Sequence, residues 1–131
     1  MTKHRFKFEK LIRNKIPNII RAKNIDVFSY IMEQTEYIQE LKQKLLEEAE
    51  EVIAAISKDD ITEEIADVFE VAYALADVYG IKYDQIERIR LAKKESRGGF
   101  DDKIYTTYIE MNKNNKESEY YLARPEKYPE I

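Results

Sequence analysis

The sequence predicts an all-α protein, an antiparallel helical bundle with short peripheral strands near both termini. Apolar residues recur at helical spacing along three stretches of the chain, which contains only three Gly and three Pro in 131 residues. Signals for helix starts and ends flank the same stretches. Together these observations predict helices over 35–57, 61–79 and 84–97, in a single domain that spans residues 1–131.

A shorter helix is predicted near the N-terminus, over residues 16–23. Pro17 is compatible with a first helical turn, and Asn14 is a candidate N-cap. Arg13 and Lys15 come directly before this helix, where cations and free backbone amides can face a phosphate. Solvated charge is the plainer interpretation of these two cations, so their role stays open at this point.

Three segments outside the helices have a different character. Residues 26–32 and 103–111 are rich in aromatic and β-branched residues, which favour strands. The first of them could equally be an extended packing segment. The tail, residues 119–131, combines tyrosines with two prolines, so we expect it to be extended and to pack against the domain or a second subunit.

The first two long helices have recognisable ends. Thr35 is a candidate N-cap of the first, which ends in the polar turn 57–60. Asp60 followed by Glu63 forms an acidic variant of the capping box at the start of the second. Gly80 lies where the second helix should reach its C′ position. These signals predict two helices joined by a short turn.

The third long helix repeats the same start signal and ends in a basic turn. Asp84 is followed by Glu87 at its start, and Gly98 follows its last predicted residue. Cations at this end must overcome the helix dipole, which alone would repel a phosphate. The cations concerned are Lys93, Lys94 and Arg97.

Acidic residues interrupt the apolar faces of the first two long helices. At about 100° per residue, Glu48 lies at the edge of one apolar stripe, and Glu64 and Asp67 lie within the other. Glu51 is one turn from Glu48, so each helix presents a pair at spacing i, i+3. Burying ionised carboxylates without partners costs several kcal/mol. A divalent cation would neutralise them, and all-oxygen ligation selects Mg²⁺, with Mn²⁺ as the alternative.

One such pair alone would be better explained as a solvated helix face, or as acids that pair with Lys and Arg elsewhere. Two pairs on consecutive helices favour the metal interpretation. The second helix is also apolar nearly all round, and the neighbouring helices cover too little of it. We therefore expect a second chain to complete the bundle, giving a homodimer or a homotetramer.

Composition excludes several other classes of function. The net charge of −4 argues against a general nucleic-acid binder, which would show a basic excess. The chain has no Cys, so disulfides, thiol nucleophiles and Cys-zinc sites are excluded. No apolar run is long enough for a membrane span, and the basic N-terminus lacks the apolar core of a signal peptide. We expect a soluble, cytoplasmic protein, with the lone His4 in a basic arm and inert.

The acidic motifs are specific enough to indicate a family. EExxE at residues 47–51, followed after 12 residues by ExxD at 64–67, resembles the all-α nucleotide pyrophosphohydrolases, the superfamily of MazG and phosphoribosyl-ATP pyrophosphohydrolase. KLIRNKIPNII at 10–20 and KKESRGGF at 93–100 resemble one MazG-like branch. The resemblance covers residue 10 to about residue 104. Asn14 stands where many of these relatives have Asp, which leaves the acidic motifs untouched.

The resemblance implies roles for individual residues. Lys94 and Arg97 would bind phosphates, and Glu47 would lie behind the metal ligands or join them occasionally. Either Glu47 or Glu51 would orient the attacking water, and the spacing does not decide between them. The residues that would hold Mg²⁺ are Glu48, Glu51, Glu64 and Asp67.

The function implied is Mg²⁺-dependent hydrolysis of a (deoxy)nucleoside triphosphate, or a related nucleotide, to the monophosphate and pyrophosphate, serving as a house-cleaning activity. Phosphoribosyl-ATP is the second candidate substrate. Two other interpretations remain: a non-catalytic helical module that docks a basic partner, and a metal-binding descendant that has lost catalysis. Metal-dependent release of pyrophosphate distinguishes all three.

Overall fold

The computed structural model describes residues 2–131, and every regular element among them is helical. The all-α prediction is therefore confirmed. The predicted short helix is α1. The three predicted long helices are the second, third and fourth elements, and one short helix near the C-terminus was not predicted. The five helices are α1 (Ile16–Arg21), α2 (Gln34–Ala54), α3 (Lys58–Val78), α4 (Tyr83–Arg97) and α5 (Ser118–Leu122).

Helices α2 and α3 form a hairpin, joined by residues 55–57. Each has 21 residues, so each is about 31 Å long. The buried apolar residues of the described chain are Leu41 on α2 and Val71 and Ala76 on α3. This hairpin is the framework that carries the acidic motifs.

Capping explains where α3 begins and ends. Ser57 is the N-cap, and its Oγ accepts a hydrogen bond from the backbone N–H of Asp60 at 3.1 Å. The predicted N-cap, Asp60, therefore lies within the first turn. At the other end Gly80 has a φ of +65°, as predicted for C′. The N–H of Gly80 bonds the carbonyl of Asp77, and the N–H of Ile81 bonds that of Ala76, which is the Schellman arrangement.

The other helix ends differ slightly from those predicted. Helix α2 begins after Glu33 rather than at Thr35, and it ends before Ile56, which is 93% exposed. Lys15, rather than Asn14, is the N-cap of α1, with Pro17 in the first turn as expected. Predicted and observed boundaries differ by at most three residues, and the start of α1 and the end of α4 coincide with the prediction.

The predicted strands are not present among residues 2–131. Strand propensity reflects how well a side chain fits a pleated surface, and a strand forms only where a second one pairs with its backbone. The segment 26–32 lies before α2, and 103–111 has Ile104 82% and Tyr105 90% exposed. The two segments belong to different units of the chain, and neither is paired.

The chain divides into two compact units, a first that ends at Lys93 and a second of Lys94–Ile131. The first holds α1 to α3 and most of α4. The second holds α5, where the rings of Tyr120, Tyr121 and Tyr128 pack on one another. The tail therefore contains a helical turn rather than being extended throughout. No helix within residues 2–131 has the length and apolar character needed to cross a membrane.

Candidate metal centre

Four carboxylates from the α2–α3 hairpin converge on one point. Glu48 and Glu51 come from α2, and Glu64 and Asp67 come from α3. One oxygen from each residue lies within 4.8 Å of an oxygen from every other. The i, i+3 spacing places both acids of a pair on one face of their helix, and the short turn brings the two faces together. We refer to these residues as the acidic cluster.

The four residues of the cluster range from buried to exposed. Glu48 is buried, with 7% of its surface exposed, while Glu64 and Asp67 are half-buried and Glu51 is exposed. The Oε2 atoms of Glu48 and Glu64 are buried and have no hydrogen-bond partner. A buried carboxylate oxygen without a protein partner is costly, so these two atoms are suited to contact a bound cation.

Burial and the neighbouring carboxylates raise the pKa of two members of the cluster. Burial is the main cause for Glu48, followed by the negative charge of Glu51. For Glu64, a side-chain hydrogen bond with Glu51 is the main cause, followed by desolvation, and the pKa rises to about 7. The cluster therefore resists carrying its full negative charge unless cations are present.

Two side chains supply part of the missing positive charge. Lys44 lies one turn before the cluster on α2, with its Nζ 3.7 Å from Oε1 of Glu48 and 3.6 Å from Oε2 of Glu47. Arg13 donates a hydrogen bond from Nη2 to Oδ1 of Asp67 at 2.7 Å. Neither cation contacts the unpartnered Oε2 atoms of the cluster.

The donor set suits Mg²⁺ or Mn²⁺. All four donors are carboxylate oxygens, which these hard cations prefer. One oxygen from each of the four residues lies within 4.8 Å of the others, so a single ion could contact all four.

A cleft of about 470 Å³ lies beside the cluster. Glu47 and Glu51, the two candidates for orienting water, both border it, so both could contact a solvent molecule there. Its other wall belongs to the segment before α1, where Phe8 and Lys10 lie. No motif pointed to these N-terminal residues, because the sequence does not say which segment crosses the hairpin.

The predicted phosphate-binding residues divide into two groups. Arg13 is at the cluster, and Lys15 lies exposed at the start of α1. The other three are exposed residues of α4. Lys93 is the last residue of the first unit, and Lys94 and Arg97 belong to the second. A phosphate-binding role for these cations stays a prediction.

Sequence interpretation missed Lys44 and the pairing of Arg13. The contacts of Lys44 could have been predicted from its spacing, because it lies four residues before Glu48 and three before Glu47, and side chains at these spacings meet on a helix. No comparable signal existed for Arg13, which is 54 residues from Asp67.

A family model described as the MazG-like family matches residues 31–111. The matched region contains α2, α3 and α4 with the whole acidic cluster, whereas Arg13 and Lys15 lie before it. No curated protein and no solved structure matches the chain.

Proposed function

Because the chain belongs to the MazG-like family, we propose that it is a divalent-metal-dependent nucleotide pyrophosphohydrolase with a house-cleaning role. It cleaves a (deoxy)nucleoside triphosphate, or a related nucleotide, to the monophosphate and pyrophosphate. The observation that carries the proposal is the acidic cluster, in which the nearly buried Glu48 has an oxygen with no partner. Such an arrangement is costly in a protein that binds no cation there.

The four carboxylates of the acidic cluster would hold Mg²⁺ or Mn²⁺; they belong to Glu48, Glu51, Glu64 and Asp67. When bound, the ion would supply positive charge that neutralises the phosphate oxygens. The hairpin fixes the positions of the four carboxylates before the nucleotide arrives. Preorganised ligands of this kind do not have to reorganise during the reaction.

A carboxylate beside the cleft orients the water and accepts its proton. The water oxygen forms a bond to phosphorus, and the phosphoanhydride bond between the α- and β-phosphates breaks, which releases the monophosphate and pyrophosphate. Glu51 is exposed and borders the cleft, and Glu47 borders it one turn earlier. Both residues remain candidates for this role. Glu47 lies outside the group of four carboxylates that would hold the metal.

Cations bind the phosphates. Arg13 already lies at the cluster, 2.7 Å from Asp67, and is the candidate with the strongest support. Lys15 at the start of α1 and the basic turn of α4 stay further predictions for this role. The α4 residues are Lys93, Lys94 and Arg97. A nucleotide substrate also agrees with a cytoplasmic location, where nucleoside triphosphates are abundant.

The active form is a homodimer or a homotetramer. The α2–α3 hairpin leaves large apolar side chains uncovered, including Ile53 at 83%, Phe69 at 56% and Leu46 at 53% exposure. Each buried apolar Å² contributes about 25 cal/mol, so covering these side chains would be strongly favourable. A second hairpin, packed against the first, would complete a four-helix bundle.

The test is a screen of common and modified (deoxy)nucleoside triphosphates together with phosphoribosyl-ATP, with Mg²⁺ or Mn²⁺ and with pyrophosphate detection. We expect pyrophosphate from at least one nucleotide, and none after chelation. Glu64→Gln should abolish the release, whereas Glu63→Gln, an exposed neighbour on α3, should not. Release of phosphate would show that a different bond is cleaved. No release from any nucleotide would favour the interaction module that docks a basic partner.

A further inference from the structure

Arg13 is the one residue of the N-terminal segment that forms an ion pair with the acidic cluster in the described chain. Its Nη2 lies 2.7 Å from Oδ1 of Asp67, and the pair joins residues 54 positions apart. The carbonyl of Arg13 accepts a hydrogen bond from the N–H of Ile16 at 3.0 Å, so the first turn of α1 anchors its backbone. Arg13 is therefore held at its backbone by α1 and at its guanidinium by Asp67.

This guanidinium has capacity for a second partner. Arginine carries five N–H donors in a planar fork, and one of them is engaged by Asp67. The side chain of Arg13 is 58% exposed, and that of Asp67 is 38% exposed. The remaining donors can therefore bind an anion from solvent while the contact with Asp67 persists, and phosphate oxygens suit a guanidinium fork well.

The same guanidinium opposes a divalent cation when no nucleotide is present. It withdraws negative charge from Asp67, one of the four ligands, and its own positive charge repels an ion held a few ångströms away. A triphosphate would reverse this balance, since its oxygens can contact the ion and Arg13 together. The cost of placing the two cations side by side is then offset by the anion between them.

We propose that Arg13 couples metal loading to nucleotide binding, by competing with the ion for Asp67 in the nucleotide-free protein and by binding the triphosphate in its presence. This inference rests on the proposed function, because it takes the cluster as the metal site and a nucleotide as the anion. By thermodynamic reciprocity, the ion must strengthen nucleotide binding by the same factor as the nucleotide strengthens ion binding.

The first measurement is Mn²⁺ binding to the nucleotide-free protein, followed by the electron paramagnetic resonance signal of free Mn²⁺. Arg13→Gln should bind Mn²⁺ about three- to tenfold more tightly, as expected for removing one partly screened positive charge. Arg90→Gln is the matched control, because Arg90 pairs with Glu87 on α4 at similar exposure. Its Mn²⁺ affinity should equal that of the wild type.

A double-mutant cycle tests whether the effect passes through Asp67. Asp67→Asn should weaken Mn²⁺ binding, and adding Arg13→Gln to that variant should change the affinity less than it does in the wild type. The second measurement is the KM for the metal complex of a nucleotide identified in the screen. It should rise about tenfold in Arg13→Gln, and Arg13→Lys, which keeps the charge without the fork, should recover part of the loss.

The proposal predicts that Arg13→Gln binds Mn²⁺ more tightly in the nucleotide-free protein and has a higher KM for the metal–nucleotide complex. A merely structural role would weaken Mn²⁺ and nucleotide binding together. Unchanged or weaker Mn²⁺ binding in Arg13→Gln would overturn the coupling role while leaving the proposed function intact. If the wild-type protein binds no Mn²⁺ at all, the proposed function fails and the coupling role fails with it.

Discussion

Glu48 is the residue on which the metal assignment depends most. Its place at the edge of an apolar stripe follows from helical geometry, and in the folded chain it is the one buried charged residue of the described region. Lys44 lies 3.7 Å from one of its oxygens, and the other oxygen has no partner. Lys44 at that distance and Arg13 at Asp67 compensate only part of the charge of the four carboxylates.

Removing a ligand charge should weaken metal binding sharply. Glu48→Gln and Asp67→Asn each remove one charge and one ligand, while the amide keeps a similar shape. We expect Mg²⁺ affinity to fall at least about tenfold in isothermal titration calorimetry. Metal-free stability should hold or rise, because a neutral amide is less costly to bury than a carboxylate. Unchanged affinity in either variant would contradict the assignment.

The raised pKa of Glu64 predicts how metal-free stability depends on pH. Its pKa is about 7 in the folded chain, against an ordinary value of 4.5. The folded state then binds more protons than the unfolded state between these values, so stability falls as pH rises towards about 7. Urea unfolding in chelator should show this fall between the two pKa values, about pH 4.5 to 7, and a flatter course above it.

Glu64→Gln should remove most of this dependence, because the amide does not titrate. Glu63→Gln, on an exposed neighbouring position of α3, should retain it. Stability that stays level or increases over the same pH range in the wild type would contradict the account. At pH 8, adding Mg²⁺ to the wild-type protein should raise its free energy of unfolding, since the ion binds the ionised cluster.

At the scale of the element, most of the fold could be predicted and the strands could not. Helical periodicity, Gly80 and the polar turn define α2 and α3, since these signals are local. The acidic cluster follows from the same local rules, because a short turn leaves two helices few ways to face each other. Whether the segments 26–32 and 103–111 form strands depends on a pairing partner, and strand propensity does not identify one.

Long-range interactions and competing local interactions explain why other features could not be predicted from the sequence. Arg13 reaches Asp67 only because the chain before α1 passes the hairpin, and no periodicity encodes that path. The start of α3 was placed at Asp60 because acidic residues favour N-caps, but Ser57 lies nearer the turn and its hydroxyl caps the helix instead. The ion pair of Arg13 and the N-cap of α3 both depend on which partners lie close together in the folded chain.

Gly80 gives a direct test of the α3 terminus. Its φ of +65° suits glycine, and a Cβ placed there would meet no atom within 4 Å. Gly80→Ala should therefore cost about 1 kcal/mol of unfolding free energy through backbone strain alone. Gly99→Ala is the control, because Gly99 is not in the left-handed region and a Cβ there would meet only movable side chains, Asp101 at 3.3 Å and Lys94 at 3.8 Å. Equal effects of the two substitutions in urea unfolding would contradict this explanation.

At the scale of the whole molecule, uncovered apolar surface is the main feature that one chain leaves unexplained. Only Leu41, Val71 and Ala76 are buried apolar residues in the described region, which is few for a chain with 44% hydrophobic residues. A folded chain of this length normally buries about two thirds of the surface of its unfolded form. A second copy is the simplest partner for the hairpin.

Light scattering at micromolar concentration should give the mass of a dimer or a tetramer. Phe69→Glu should shift the assembly towards monomer, because it places a charge on the exposed apolar face of α3. Phe100→Glu is the control, since Phe100 is 98% exposed in the second unit. A wild-type protein that is a monodisperse monomer would contradict the assembly, and so would a Phe69→Glu protein of unchanged mass.

One rate comparison tests most directly whether the acidic cluster is the centre of metal-dependent pyrophosphate release. On the best nucleotide from the screen, pyrophosphate release is measured for wild type, Glu48→Gln and Glu63→Gln, each with Mg²⁺ and with chelator. We predict release by wild type and Glu63→Gln with Mg²⁺ only, and a loss of at least about a hundredfold in Glu48→Gln. Release that persists in chelator, or in Glu48→Gln at the wild-type rate, would contradict the claim.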